Sequence, residues 1–133
     1  MRKFSFELEN EDDIIVLIGK ANGHKIQLAL DTAASHSVID LNALLMLGYS
    51  PKEATGKTLV ETSNGVISVE CYQLSQLEML DKTVTAFDVI SYDFLEKGIL
   101  SPYQGVLGLD FFDQTILTID FIKHEVWLEL ASK

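Results

Sequence analysis

Residues 26–35, Ile-Gln-Leu-Ala-Leu-Asp-Thr-Ala-Ala-Ser, constrain this chain more than any other stretch. Ile26, Leu28 and Leu30 alternate with Gln27, Ala29 and Asp31, the period of a strand with one buried face. The strand stops abruptly at Asp31, and Thr32, Ala33, Ala34 and Ser35 follow. A carboxylate held at the lip of a core is expensive unless something uses it, and small neighbours let backbone approach it closely. The bland reading is that a strand-ending Asp before Thr caps the following turn through its own side chain. Asp31 is nevertheless the first candidate for chemistry.

With 133 residues, 47% of them hydrophobic, the chain fills one core, and a single domain over residues 1–133 is expected. Its formal net charge of −10 argues against nucleic-acid or anionic-membrane partners, which need clustered Lys and Arg. The same charge makes two copies repel, so a homodimer must offset the repulsion with buried apolar contact. Cys71 is the lone cysteine, which excludes an internal disulfide and multi-cysteine metal patterns. Phe4 to Asp13 alternates and turns acidic where a secretory signal needs a continuous apolar core. No apolar run is longer than Ile14 to Ile18, which is far too short to cross a bilayer. A cytoplasmic protein is expected.

Phe4, Phe6 and Leu8 alternate with polar residues as a strand does, the acidic run Asn10 to Asp13 turns the chain, and Ile14 to Ile18 reads as a buried strand. Asn22-Gly23 is a hairpin signal that delivers the chain into the strand ending at Asp31. Asp40 is placed to cap a short helix with Leu41, Leu44 and Leu45 on one face, closed by Gly48. Ser50 to Gly56 reads as a surface connection without regular structure. Lys57 to Glu61 and Val66 to Leu74 favour strands around a Thr62-Ser63-Asn64-Gly65 turn. Leu77 to Leu80 ends one strand, Asp81-Lys82 turns, and Thr83 to Ile90 is the next. Tyr92 to Gly105 is irregular, and Thr115 to Phe121 with Glu125 to Leu130 forms a terminal hairpin with Trp127 facing the core. Short strands, tight turns and only one or two short helices mean an all-β, barrel-like domain.

Two motifs carry a family resemblance. Residues 28–35 resemble the Asp-[Thr/Ser]-Gly-Ala-[Ser/Asp] signature of retropepsin-like aspartic proteases, aliphatic lead-in included. Residues 105–112, Gly-Val-Leu-Gly-Leu-Asp-Phe-Phe, resemble the family's second motif, an apolar pair, a glycine, one residue, then Asp or Arg and a short apolar helix. The resemblance implies a closed acid-protease barrel in which Gly108 lets its loop cross beside the Asp31 loop, with Asp110 structural. The hairpin around Ser63, Asn64 and Gly65 would be the flap over a bound peptide.

Aspartic proteolysis needs two carboxylates sharing a proton, because like charges about 3 Å apart cannot both ionise. No second run of this type occurs, so the resemblance implies a homodimer in which Asp31 faces its symmetry mate and acts on a peptide or protein substrate, with no cofactor. It gives Asp31 the catalytic role, Thr32 a hydroxyl reaching across the dimer axis, and the backbone carbonyl at Ala33 a hydrogen bond from substrate. Ala34 would line the substrate site beside Ser63, Asn64 and Gly65. Because Ala34 lacks a hydroxyl donor, the dyad is expected to work at less acidic pH than pepsin-like enzymes. The family has glycine where this chain has Ala33, and a left-handed conformation there would cost alanine about 1 to 2 kcal/mol. The alternative is a catalytically inactive peptide-binding or regulatory module on the same fold.

Ser35-His36-Ser37 lacks a Gly-x-Ser-x-Gly elbow, and adjacent residues rarely point at each other, so a serine nucleophile is not expected. His24, His36 and His124 have no metal-ligand spacing. Cys71 reads as a small apolar side chain.

Overall fold

The computed structural model describes residues 2–8, 13–63, 65–99 and 101–131. Among these, ten strands and one short helix follow in the order β1 (Phe4–Ser5), β2 (Val16–Ala21), β3 (His24–Leu30), β4 (Val38–Asp40), α1 (Leu41–Met46), β5 (Gly56–Thr62), β6 (Gly65–Met79), β7 (Lys82–Tyr92), β8 (Gly105–Leu107), β9 (Thr115–Asp120) and β10 (Glu125–Leu130).

Strands β2, β3, β8, β4, β7 and β6 pair in that order, and β6 returns to β2 through Lys20 opposite Glu78 and Ala21 opposite Leu77. The sheet closes into a six-stranded barrel, all-β as the turn-rich sequence predicts. Gly19 permits the closure: a Cβ there would strike the Glu78 carbonyl oxygen and the Met79 side chain. Leu28, Ile39, Leu74, Leu107 and Phe111 are fully buried inside. β5 extends the sheet beyond β6, while β1, β10 and β9 form a separate antiparallel sheet.

Asn22 and Gly23 both take positive φ, as the Asn-Gly pair predicts, and turn β2 back into β3 with Ala21 opposite His24. β8 then runs parallel to β3, with Leu30 opposite Leu107, and antiparallel to β4, with Val38 opposite Val106. The loop after Asp31 and the loop after Leu107 thus leave the barrel side by side.

Several local expectations are corrected. Asp40 precedes α1 without capping it; its Oδ1 instead accepts the Phe94 N–H at 3.1 Å. Ala43 and Leu44 form the buried face of α1, and Leu45 is exposed. Pro51–Glu53 makes a 3-10 turn in which Glu53 Oε1 accepts the Ser50 N–H at 3.1 Å. The expected break near Leu77 is absent, because β6 runs unbroken for 15 residues. In β10 it is Val126 and Leu128 that point inward. Trp127 lies on the opposite face, with the Lys3 ammonium 4.4 Å from its ring centroid. Of the expected acidic turn at Asn10 to Asp13, residues 10–12 lie outside the described residues.

Candidate active site

Asp31 sits one residue past β3. Its N–H donates to the Leu107 carbonyl at 3.1 Å, and the Leu30 N–H donates to Ile15 at 2.8 Å, so backbone on both sides fixes where the strand ends. As a residue Asp31 is half-buried. Oδ1 accepts the Ala33 N–H at 2.9 Å, and the Asp31 carbonyl accepts the Ala34 N–H at 3.1 Å. Asp31 does cap its own turn, as the bland reading holds, and does so with one oxygen. Oδ2 takes no hydrogen bond among the described residues.

The loop is braced from behind by the second motif. Leu109 donates its N–H to the Ala34 carbonyl at 2.8 Å. Ser37, fully buried, accepts the Gly108 N–H on its hydroxyl at 2.9 Å. The same hydroxyl donates to Asp110 Oδ1 at 2.7 Å, and the Ser37 N–H donates to Asp110 Oδ2 at 2.9 Å. A Cβ on Gly108 would sit 2.8 Å from the Ala34 oxygen and from the His36 carbonyl carbon and oxygen, so only glycine lets the loops touch. Asp110 serves this brace and is remote from chemistry of its own. Ser37 gave no signal beyond being a small polar residue before a strand; its role appears only when β8 is laid beside β4.

Thr32 and Ala33 are exposed, and Ala34 is half-buried. Among the described residues the non-glycine positions with positive φ are Asn22, Leu80, Asp81, Ala86, Gln114 and His124, and Ala33 is not one of them. The left-handed strain conceivable for a methyl at this position does not arise.

Ala33 and Ala34 open onto a cleft of about 830 Å³, walled by Ser35, His36 and Val38 on one side, Thr58 to Glu61 of β5 on another, and Cys71, Asp88 and Ile90 behind. Ser63 and Gly65 stand instead at the tip of the β5–β6 hairpin, where Thr62 Oγ1 donates to the Gly65 carbonyl at 2.8 Å, and neither lines the cleft. Asn64 lies outside the described residues. The side of the hairpin, Thr58 to Glu61, faces the Asp31 loop, and sequence reasoning, fixed on the turn, missed it. A separate hollow of about 750 Å³ beside Phe6, Ile14, Ile18 and Tyr103 holds none of the candidate residues.

Ser35 and His36 do meet, contrary to expectation: Oγ and Nδ1 are 2.9 Å apart. Both are exposed and no carboxylate among the described residues is hydrogen-bonded to the imidazole, so the pair lacks the third member that nucleophilic catalysis requires. Cys71 is half-buried. Among the described residues no group of three or more His, Cys, Asp or Glu side chains is placed to hold a metal ion, and no helix is long and apolar enough to cross a membrane.

A closed barrel whose strand-ending aspartate loop is braced by a glycine-aspartate loop on the neighbouring strand defines a retropepsin-like, acid-protease architecture. The chain belongs to the aspartyl protease family, whose model matches residues 17–111, from β2 through the second motif. In fold it is similar to a retropepsin-like aspartic protease from Rickettsia conorii, with a TM-score of 0.66 and 18% identity over 97% of this chain and 90% of that one. It is also similar to EIAV protease in complex with the inhibitor HBY-793, with a TM-score of 0.57 and 16% identity over 80% of this chain and 91% of that one. No curated protein sequence matches the chain.

Proposed function

We propose that this chain is an aspartic endopeptidase that acts on peptides or proteins as a homodimer, one Asp31 from each copy forming the catalytic dyad. One observation carries the reading: the Asp31 loop is clamped from behind through Ser37, Gly108 and Asp110, while Oδ2 takes no hydrogen bond among the described residues and Thr32 and Ala33 stay exposed. A two-fold axis there would bring two such carboxylates together, with each Thr32 hydroxyl reaching the other loop and the Ala33 carbonyl facing substrate.

In the reaction, one Asp31 is ionised and its partner protonated. The ionised carboxylate takes a proton from water as the water oxygen bonds to the scissile carbonyl carbon, and the protonated one gives its proton to the carbonyl oxygen. The resulting diol breaks its C–N bond as the first carboxylate returns a proton to the leaving nitrogen, and the diol releases a proton to the second. No metal or redox partner is needed to balance the step. The lone Cys71 fits a reducing cytoplasm. With no hydroxyl at Ala34 to favour the charged form, the working range should lie above that of pepsin-like enzymes.

The test is cleavage of a denatured protein from about pH 3 to pH 7 by wild type and Asp31→Asn at matched, high concentration. Loss in the variant, with a dependence on enzyme concentration steeper than linear where the dimer dissociates, supports the reading. Silence in both proteins, each folded, overturns it and leaves the peptide-binding module.

A further inference from the structure

We infer that the free edge of β5 is a self-complementary interface, on which a second copy of this chain pairs antiparallel about a two-fold axis through Leu59. The contact uses no residue of the Asp31 dyad and stands apart from the dimer proposed there.

β5 is the last strand of its sheet and is paired with β6 alone, so the backbone along its other side has no strand partner among the described residues. Burial alternates along it. Thr58 and Val60 are half-buried, while Lys57, Leu59 and Glu61 stand exposed, Leu59 at 70%. The registers identify the two faces. Gly56 is opposite Cys71 and Cys71 is opposite Ile90, so Thr58 and Val60 share the face of Ile90, and Lys57, Leu59 and Glu61 share the other. Glu70, opposite Lys57 on β6, accepts the Tyr72 hydroxyl at 3.0 Å, and among the described residues no ion pair within the chain uses Lys57 or Glu61.

A lysine on an edge strand ordinarily blocks further pairing. Here it favours pairing, because a cation and an anion flank one apolar side chain at equal distance along the strand. A two-fold axis through Leu59 sets that residue against Leu59 of the second copy, Lys57 against its Glu61 and Glu61 against its Lys57, all on one face. Thr58 then lies opposite Val60 on the other face. Neighbouring registers lose the match: an axis at Thr58 puts lysine opposite leucine, and one at Val60 puts Leu59 opposite glutamate. The strand has seven residues and each copy carries a net charge of −10, so the contact is weak and needs salt to screen the wider repulsion.

Cysteines placed in a Cys71→Ser background read the register under mild oxidation, at high protein concentration and moderate salt. Residues directly opposite in an antiparallel pair lie about 4.5 to 5.5 Å apart at Cα, within disulfide reach, whereas position 57 would lie about 13 Å from its own counterpart. Leu59→Cys should therefore form a covalent dimer with itself, and a mixture of Lys57→Cys with Glu61→Cys should cross-link about tenfold faster than either variant alone. Adding Lys57→Glu to Leu59→Cys replaces two opposite-charge pairs by two like-charge ones and should slow trapping about tenfold, and adding Lys57→Glu/Glu61→Lys, which is self-complementary again, should restore it. Equal cross-linking at positions 57, 59 and 61 is random collision and overturns the inference, as does a double reversal that traps no faster than the single one. Protection of the β5 edge amides from hydrogen exchange by an added peptide, with no Leu59→Cys dimer, overturns it in favour of a peptide strand on this edge. Every one of these readouts is independent of cleavage, so the protease reading stands or falls by its own test.

Discussion

Asp110 accepts both hydrogen bonds that Ser37 donates, the hydroxyl at 2.7 Å and the backbone N–H at 2.9 Å, across 73 residues of sequence. One carboxylate thus ties the end of the Asp31 loop to the segment that follows β8. Ser37 is wholly out of solvent, so neither group has water to fall back on. Asp110→Ala strands both donors, and should lower stability by about 2 to 3 kcal/mol, the cost of removing hydrogen bonds to a charged acceptor from buried partners. Asp110→Asn keeps one acceptor and should lose about half as much. Urea denaturation of the two variants checks the order, and the proposed peptide cleavage should fall even at temperatures where both variants remain folded, because the loop carrying Asp31 is the one released.

Gly108 makes the same brace by absence. An alanine there would place its Cβ 2.8 Å from backbone atoms of Ala34 and His36, closer than carbon atoms tolerate and with no flexible side chain to yield. The loops must part, and the Gly108 N–H bond to Ser37 goes with them. Gly108→Ala should destabilise by about 1 to 3 kcal/mol, the range for overpacking a tight contact. A calorimetric melt reads the loss. An alanine variant as stable as wild type would mean that the two loops are not in contact.

Which parts of this architecture were readable in the sequence follows from how local each is. The Asn22-Gly23 turn, the strand into Asp31 and the close approach at Gly108 each depend on a few neighbouring residues, so their chemistry is written in the string. Trp127 misleads because hydrophobicity outranks alternation on paper, whereas in β10 the two-residue period has already assigned the interior to Val126 and Leu128. Asp40 looks like a helix cap, but Phe94, 54 residues away, presents its N–H first. The cleft is the least legible feature. Ala34, Val60 and Ile90 come from a loop and two strands far apart in sequence, and only the pairing of β5 with β6 and of β6 with β7 assembles them.

Asp120 gives the terminal hairpin a pH dependence. Its Oδ1 accepts the Lys123 N–H at 3.0 Å and the Ile122 N–H at 2.8 Å in the turn between β9 and β10. These two bonds favour the charged form and hold the carboxyl below its ordinary range. A carboxyl with a lower pKa folded than unfolded adds stability that is fully present above the unfolded value, about 3.9, and disappears as pH falls through the folded one. Asp120→Asn should therefore melt below wild type near neutral pH, and the gap should close on acidification below about pH 4. Parallel thermal melts from neutral to strongly acidic pH measure it, and a gap that widens in acid would contradict the assignment.

Ala33 is where this chain departs from its family's glycine, and the obvious repair is to restore the glycine. The backbone argues against any benefit. Ala33 is outside the left-handed region, it is exposed, and its N–H already reaches Asp31 Oδ1 at 2.9 Å. A methyl group in that setting carries no strain to relieve. Glycine would instead widen the conformations open to the unfolded chain and loosen the turn that orients the carboxylate, at a cost of about 0.5 to 1 kcal/mol. Ala33→Gly should thus melt slightly lower than wild type and cleave peptides no faster at matched concentration. A melting scan and initial rates on one peptide, taken on the same preparations, decide it: a rate gain of tenfold or more in the glycine variant would mean that the methyl obstructs the substrate or the facing loop of the proposed dimer, and that the alanine restrains a protease the fold otherwise supports.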